Sequence, residues 1–488
     1  MPCCHPTITD RSAAAIAACA VLCVVAGCSV APPVPELKSE DRVAVPAAWS
    51  GQDISSLTHA AVPLTRWWQR FDDPLLGTLV DLSQSANTRV RSAQGALTQA
   101  RALRDVAAAA LWPTLNASAS VRNGTAGGSR TGNRLETGLG ANWTPDVFGG
   151  NRSALEASAA TVLSRDAALS DVQAAIAAEV GLSYIQLRNG QARLAIAAEN
   201  LAAQDEILQI TRWRFQAGLV TSLEVEQARA SAEQTRALLP TLQTGIDQTR
   251  HALSVLTGQP PEAPTTIRNE LIATRPVPLT TADPVITLPA ETLRLRPDVR
   301  AAEAEVSAAW ARVAQANAAR FPGFSLGGTL GLGGATLGSL TSGAAVVSAL
   351  FASVAVPLFD AGAARTRVRA QQAAFEQARV AYVETVLTAL REVEDALTAL
   401  RNDRLRLASL REAAESASVA AQLAAQRFAS GLVDFQVVLE TQRARLATQD
   451  NVALARAAVS TDQVRLYRAL GGGWSPQAAL ADGSGANR

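Results

Sequence analysis

Two stretches of this chain run without proline, from Pro145 to Pro240 and from Pro357 to Pro476, and both carry a seven-residue apolar rhythm. In the first, Leu187, Leu194, Leu201, Leu208 and Phe215 recur at sevens. In the second, Val386, Val393, Leu400, Leu407, Ala414, Ala421 and Phe428 do the same, and Val383, Leu390, Leu397, Leu410, Ala417 and Ala424 complete a 3–4 alternation. That pattern is the seam of a coiled coil. It predicts helices over about 153–217 and 364–430, each roughly 100 Å long at 1.5 Å rise per residue. Both stripes end on a Phe three residues before a glycine, Gly218 and Gly431.

The two stretches belong to a duplication. Val90-Arg91-Ser92-Ala93 corresponds to Val299-Arg300-Ala301-Ala302, and Trp112-Pro113 to Phe321-Pro322. Arg214-Phe215-Gln216-Ala217-Gly218-Leu219-Val220 corresponds to Arg427-Phe428-Ala429-Ser430-Gly431-Leu432-Val433, and Gly258 to Gly471. The matching positions lie about 210 residues apart, with a small drift that falls in connecting segments. Each half reads as helix, strand pair, long helix, turn and return helix. Gly218 and Gly431 suit the left-handed residue that ends a helix. Thr221-Ser222-Leu223-Glu224 offers a capping box, and Asp434 an N-cap for the other return helix.

A solvent-exposed coiled-coil stalk accounts for the helices but not for the strands. Apolar and polar residues alternate through Leu115–Arg122. Leu135, Leu139, Ala141 and Trp143 share one face, and Phe324, Leu326, Leu330 and Leu332 oppose Ser325, Gly327, Thr329 and Gly331. A fourth strand is expected around 350–358, with weaker alternation. Strands of about ten residues with one greasy and one small or polar face suit a membrane barrel with a wet lumen. Four strands cannot close one, since about eight is the smallest transmembrane case, so the chain must associate. The run 344–359 resembles a membrane helix in hydropathy, but Ser348, Ser353 and Pro357 argue against that.

All five cysteines lie at positions 3, 4, 19, 23 and 28, so no disulfide framework holds the body together. Residues 12–27 are apolar and end in Val25-Ala26-Gly27 before Cys28. That order resembles a bacterial lipobox, in which the cysteine is lipidated after cleavage, and Ser29 resembles the sorting position of lipoproteins sent to the outer membrane. An ordinary signal peptide with an incidental cysteine is the alternative, and Arg11 as the only base makes a weak n-region. The Pro-, Ala- and Val-rich residues 29–62 read as a tether.

Function classes narrow further by exclusion. Lys+Arg number 44 against Asp+Glu 43, which rules out a nucleic-acid-binding surface spread over the chain. Beyond the first 27 residues only His59 and His251 remain, in unrelated contexts. No Cys/His or HExxH cluster offers a metal site, and neither a GxSxG elbow nor a P-loop is present, so catalysis is not expected. Glu392 and Glu394 read as helix-surface charges. Aromatic residues make up 4% of the chain, which suits long helices packed through small side chains.

Four motifs then carry a family resemblance: Trp67-Trp68-Gln69-Arg70-Phe71-Asp72-Asp73-Pro74-Leu75; Leu288-Pro289 with Arg296-Pro297-Asp298-Val299-Arg300-Ala301-Ala302-Glu303; Pro357-Leu358-Phe359-Asp360; and Leu470-Gly471-Gly472-Gly473-Trp474. In this order the chain resembles the outer membrane efflux proteins, TolC-like channels, in their NodT-type lipoprotein branch. The resemblance implies a mainly α fold with a transmembrane β-barrel: a homotrimer with twelve strands in the barrel and a twelve-helix periplasmic tunnel. It divides the chain into a lipoprotein signal peptide (1–27), a tether (28–62), a first repeat (63–258), a Pro-rich linker (259–297), a second repeat (298–474) and a tail (475–488). It further implies export of drugs or other small molecules through a periplasmic adaptor and an inner-membrane pump of the RND type, with no cofactor beyond covalent lipid on Cys28.

In relatives the two helix turns meet the adaptor, which here involves Gly218, Leu219, Val220, Thr221, Gly431, Leu432, Val433 and Asp434; helix-hairpin geometry alone also explains the two glycines. An acidic residue nine positions after the second glycine narrows the closed mouth in relatives. Here that position is Glu440, flanked by Arg427, Phe428 and Gln436, and a trimer would gather three such carboxylates into a cation-attracting ring. Pairing of Glu440 with Arg443 or another helix-face cation is the alternative. A duct for protein secretion on the same scaffold, and a structural coiled-coil lipoprotein, remain open as other functions.

Overall fold

The structure, a computed structural model, describes residues 44–50, 64–124, 132–261, 266–280, 289–334, 336, 338 and 346–473. Cys28, His59 and Trp474 lie outside these residues. A 3-10 helix at Trp67–Phe71 stops at Asp72, whose backbone is left-handed with φ of 48°. Asp73 then caps α1 (Pro74–Ala86): its Oδ1 accepts the amides of Leu75 and Leu76 at 3.0 and 3.3 Å. Pro74 fills the first helical position, where a missing N–H costs nothing. The WWQRFDDPLL segment is thus a helix start.

Helix α2 (Thr88–Ala109) leads to strands β1 (Thr114–Gly124) and β2 (Gly132–Trp143), then to α3 (Gly150–Gln216) and α4 (Ser222–Leu256). Two short helices follow, α5 (Thr266–Ile272) and α6 (Pro289–Leu295). The order then recurs as α7 (Pro297–Ala318), β3 (Gly323–Gly334), β4 (Val346–Ala355), α8 (Ala363–Ala429) and α9 (Phe435–Ala469). Helices α3 and α8 have 67 residues each, and α4 and α9 have 35 each. The heptad reading placed both long helices within three residues of these bounds. Helix α4 runs through Pro240, which the Pro-free stretch had marked only as a limit.

Contacts group the described residues into two units. One comprises Ala96–Asp166 and Ala301–Val383; the other is drawn from Val43–Gly95, Ala167–Arg300 and Glu384–Arg488. The first holds a single antiparallel sheet in the order β1-β2-β3-β4. Its register aligns the alternation of all four strands. Leu115 faces Ala141, Leu139 faces Leu330 and Leu326 faces Ala352, while Ser118, Gly138 and Gly331 share the opposite face. The apolar face is open: Leu115, Val121, Leu330, Leu350 and Val354 are all exposed. On the other face the Phe351 ring lies over Gly327 and leaves no room for a Cβ there. Strand β4 begins four residues before the expected 350, because pairing with β3 carries it back to Val346 opposite Leu332. It ends at Ala355, two residues before Pro357, which has no N–H for a ladder. No helix among the described residues is long and apolar enough to cross a membrane, and the apolar run from 346 is strand.

The second unit is held by buried aromatics and two buried arginines. Trp67 stacks on Tyr467 at 5.7 Å and packs edge-on against Trp68 and Phe71. Its ring fills the space left by Gly181, where a Cβ would sit 2.8 Å away. Tyr184 donates to Asp73 Oδ2 at 2.6 Å. Arg188, fully buried, donates to Gln191 and to the carbonyl of Ala273 beyond α5. Arg296 binds Asp298 and Glu392, each at 2.7 Å, and the Ala469 carbonyl at 3.0 Å. Glu392 is therefore a partner of a buried cation rather than a free surface charge, and Glu394 accepts from the Ser50 amide at 2.9 Å. Trp49, 3% exposed, is buried beside Val393, Ala396 and Leu400 of α8.

Candidate functional site

Both long helices end in the same hydrogen-bond pattern. Gly218 N–H donates to Phe215 O at 2.9 Å and Leu219 N–H to Arg214 O at 2.8 Å. Gly431 N–H donates to Phe428 O and Leu432 N–H to Arg427 O, both at 2.9 Å. These paired bonds form the Schellman ending. The two glycines have φ of 71° and 75°, and a Cβ at either would meet nothing closer than 3.7 Å. Backbone sign, not lack of space, calls for glycine at both turns.

The return helices start differently. At α4 the Glu224 carboxylate accepts from the Thr221 amide at 2.9 Å and also from the Thr221 hydroxyl. The Thr221 hydroxyl bond is the main reason that the Glu224 carboxyl is held below its usual range. Asp434 occupies the N-cap position of α9 with an extended backbone, but its side chain makes no cap hydrogen bond. The third residue of α9 is Val437 instead of Glu, so this start has no reciprocal partner.

Four helices meet behind the turns. Leu208 of α3, Ala228 of α4, Ala424 and Phe428 of α8, and Phe435, Val438 and Leu439 of α9 form one buried cluster. Phe428 packs edge-on against Phe435 at 5.7 Å. Arg214, from the first hairpin, lays its guanidinium 4.5 Å from the Phe428 ring centre and donates to the Phe428 carbonyl. The two stripes therefore end unequally: Phe428 is 5% exposed, whereas Phe215 is 47% exposed. The position corresponding to Phe435 in the first hairpin is Ser222, which offers Phe215 no ring to pack on.

The predicted residues separate into two groups. Leu219, Leu432, Thr221, Asp434 and the two glycines are exposed at the turns, with Val220 and Val433 half-buried. Glu440 and Gln436 are exposed one helical turn apart, and Gln436 donates to Glu440 Oε1 at 2.9 Å. Glu440 forms no ion pair among the described residues, with Arg443 or any other cation. Arg427 is exposed. The residue that ties the turns together is Arg214, which motif reading passed over. Its equivalence to Arg427 in the duplicated Arg-Phe pair was the available signal. Farther along, Arg193 binds Asp450 at 2.6 Å and Arg445 binds Glu199 at 2.6 Å, joining α3 to α9.

This site has helix-end geometry, exposed aliphatic tips and the carboxylates of Glu224, Asp434 and Glu440. No group of His, Cys, Asp or Glu that would hold a metal occurs among the described residues.

The family model for "Outer membrane efflux protein" matches residues 79–259 and 288–472. The pyoverdine export outer membrane protein OpmQ of Pseudomonas putida is 29% identical over 448 residues, covering 88% of this chain and 93% of that protein. Nodulation protein T of Rhizobium leguminosarum bv. viciae is 28% identical, covering 85% of each. Among solved structures, the outer-membrane channel OprN is 35% identical with a TM-score of 0.83, covering 92% of this chain and all of that one.

Proposed function

Because the chain belongs to the outer membrane efflux protein family, we propose that it is the exit duct of a tripartite efflux system in the outer membrane. Drugs or other small molecules would leave the periplasm through it passively, with no reaction catalysed. The observation that carries this reading is the sheet: one largely apolar face across four strands, with β1 and β4 each paired on one side only among the described residues. Unpaired strand edges are not tolerated in lipid, so the sheet requires further strands. Three copies would supply twelve, and their long helices a periplasmic tunnel.

The turns around Gly218 and Gly431 form the end that would dock onto a periplasmic adaptor, itself coupled to an inner-membrane pump. Leu219 and Leu432, 68% and 73% exposed, are the apolar contacts offered there. Glu440, with Gln436 holding it and Arg427 and Phe428 close by in sequence, is the proposed gate. A Glu440→Ala channel should lose cation preference in its closed state, and unchanged ion selectivity would remove that residue from the gate. Cys28 carries the lipid anchor in this reading, residues 1–27 are the signal peptide and 28–62 the tether. Replacing Cys28 with Ser should abolish fatty-acid labelling.

The cellular test is accumulation of a cationic dye such as ethidium. Cells lacking the chain should retain more dye, and the full-length protein should restore efflux. Equal retention with and without the chain would contradict the exit-duct reading.

A further inference from the structure

The duplication builds one aromatic contact inside the chain and leaves its counterpart open. Phe148, between β2 and α3, stacks on Phe321, just before β3, with ring centres 4.8 Å apart and planes 21° apart. Phe324 adds a tilted contact to Phe148 at 6.3 Å. This stack closes the junction where β2 leaves the sheet and β3 enters it.

Each partner has an equivalent in the other half. Trp112-Pro113 stands before β1 as Phe321-Pro322 stands before β3. Pro357-Leu358-Phe359 follows β4 as Pro145 to Phe148 follows β2. The register puts all four junctions at one end of the sheet, since Thr114 pairs with Asn142, Trp143 with Leu326 and Gly323 with Ala355. Within one chain Trp112, just before β1, and Phe359, just after β4, belong to opposite outer edges of the sheet. Trp112 is 73% exposed, Leu358 93% and Phe359 90%.

A second copy of the chain fits this gap. Strand directions alternate through an even number of strands, so β4 of one copy beside β1 of the next continues the antiparallel order. The same head-to-tail step repeated by rotation closes a ring. We infer that Phe359 stacks on Trp112 of the neighbouring copy across that seam, with Leu358 beside it, as Phe148 stacks on Phe321 within each chain. A stack covers one face of each ring, and the internal pair shows the extent, Phe148 and Phe321 staying 37% and 49% exposed. The paired strand edges supply the rest of the ~1,000 Å² a specific interface needs. The inference rests on the trimer reading above and names the contact that seals each of its seams.

The test uses full-length protein in outer membranes carrying Trp112→Cys together with Phe359→Cys, treated with a short bis-maleimide. Cross-linked species of two and three chains are expected, and neither single variant should give them, which also controls for Cys28. A Phe148→Cys/Phe321→Cys pair should become linked within the chain and shows that the reagent spans such a stack. Failure of the seam pair, with the internal pair linked and the unsubstituted protein having the mass of three chains, would overturn the stack and leave the trimer standing. An unsubstituted protein with the mass of one chain would overturn both. As a second readout, Trp112→Ala and Phe359→Ala should each lower the temperature at which the trimer dissociates. The double variant should fall no further than the worse single one, because both remove the same contact. Additive losses would contradict a shared stack.

Discussion

Arg214 shows what a single side chain contributes at the turns. Its guanidinium covers the Phe428 ring and is a second donor to the Phe428 carbonyl beside Gly431 N–H, so removal uncovers the ring and takes one of the two donors. A cation–π contact with a hydrogen bond is worth about 1–2 kcal/mol in such a setting. Arg214→Ala should therefore speed amide exchange around Gly431 by about tenfold, while Arg427→Ala leaves it nearly unchanged. Equal effects from both arginines would contradict this assignment. Asp462 makes a second residue-level case. Burial, and then Asp403 beside it, push its carboxyl up to about 6, with Arg465 opposing. A carboxyl raised above its unfolded value favours the folded state when protonated. That contribution is complete only below the unfolded value of 3.8 and is lost as pH rises through about 6. Asp462→Asn should accordingly raise the thermal midpoint at pH 7.5 and change it little at pH 4; the reverse order would show that the carboxylate form is the stabilising one.

At the scale of elements, β1 to β3 have two faces of different chemistry, and substitutions should report which is which. Leu330→Arg, in the middle of β3 on the apolar face, should cost about 2–4 kcal/mol and block assembly into the outer membrane. Thr329→Arg, its neighbour on the other face, should assemble. Tolerance of both would remove the lipid-facing reading. These elements were largely legible in sequence, because period two and period seven both survive in a chain of low aromatic content. The heptads located α3 and α8, and alternation located β1 to β3. Strand β4 was misplaced because Val347, Ala349 and Phe351 make its second face apolar too, leaving pairing with β3 to set its ends. Contacts between distant segments had no local signature. Nothing near Trp49 announces its burial beside α8, and nothing near Arg188 points to the Ala273 carbonyl beyond α5 that it satisfies. Likewise the unequal ends of the two stripes depend on Ser222 standing where the other half has Phe435. Repeat equivalence exposes that difference only when the hairpins are compared position by position.

For the whole molecule, the duplicated plan and the open sheet edges lead to the same account: one chain is an incomplete wall. Its exposed apolar strands are stable only with lipid on one face and further strands at both edges. Near-equal numbers of acidic and basic residues then say little about cargo, since the charges proposed to act on it are confined to the mouth near Glu440. The cysteine count changes meaning as well, with Cys28 proposed as a site of attachment. The most direct test is single-channel recording of the purified full-length protein, of verified mass, in planar lipid bilayers. The account predicts discrete, stable conductance steps from a particle of three chains. A three-chain particle that inserts into the bilayer and passes no current would contradict it.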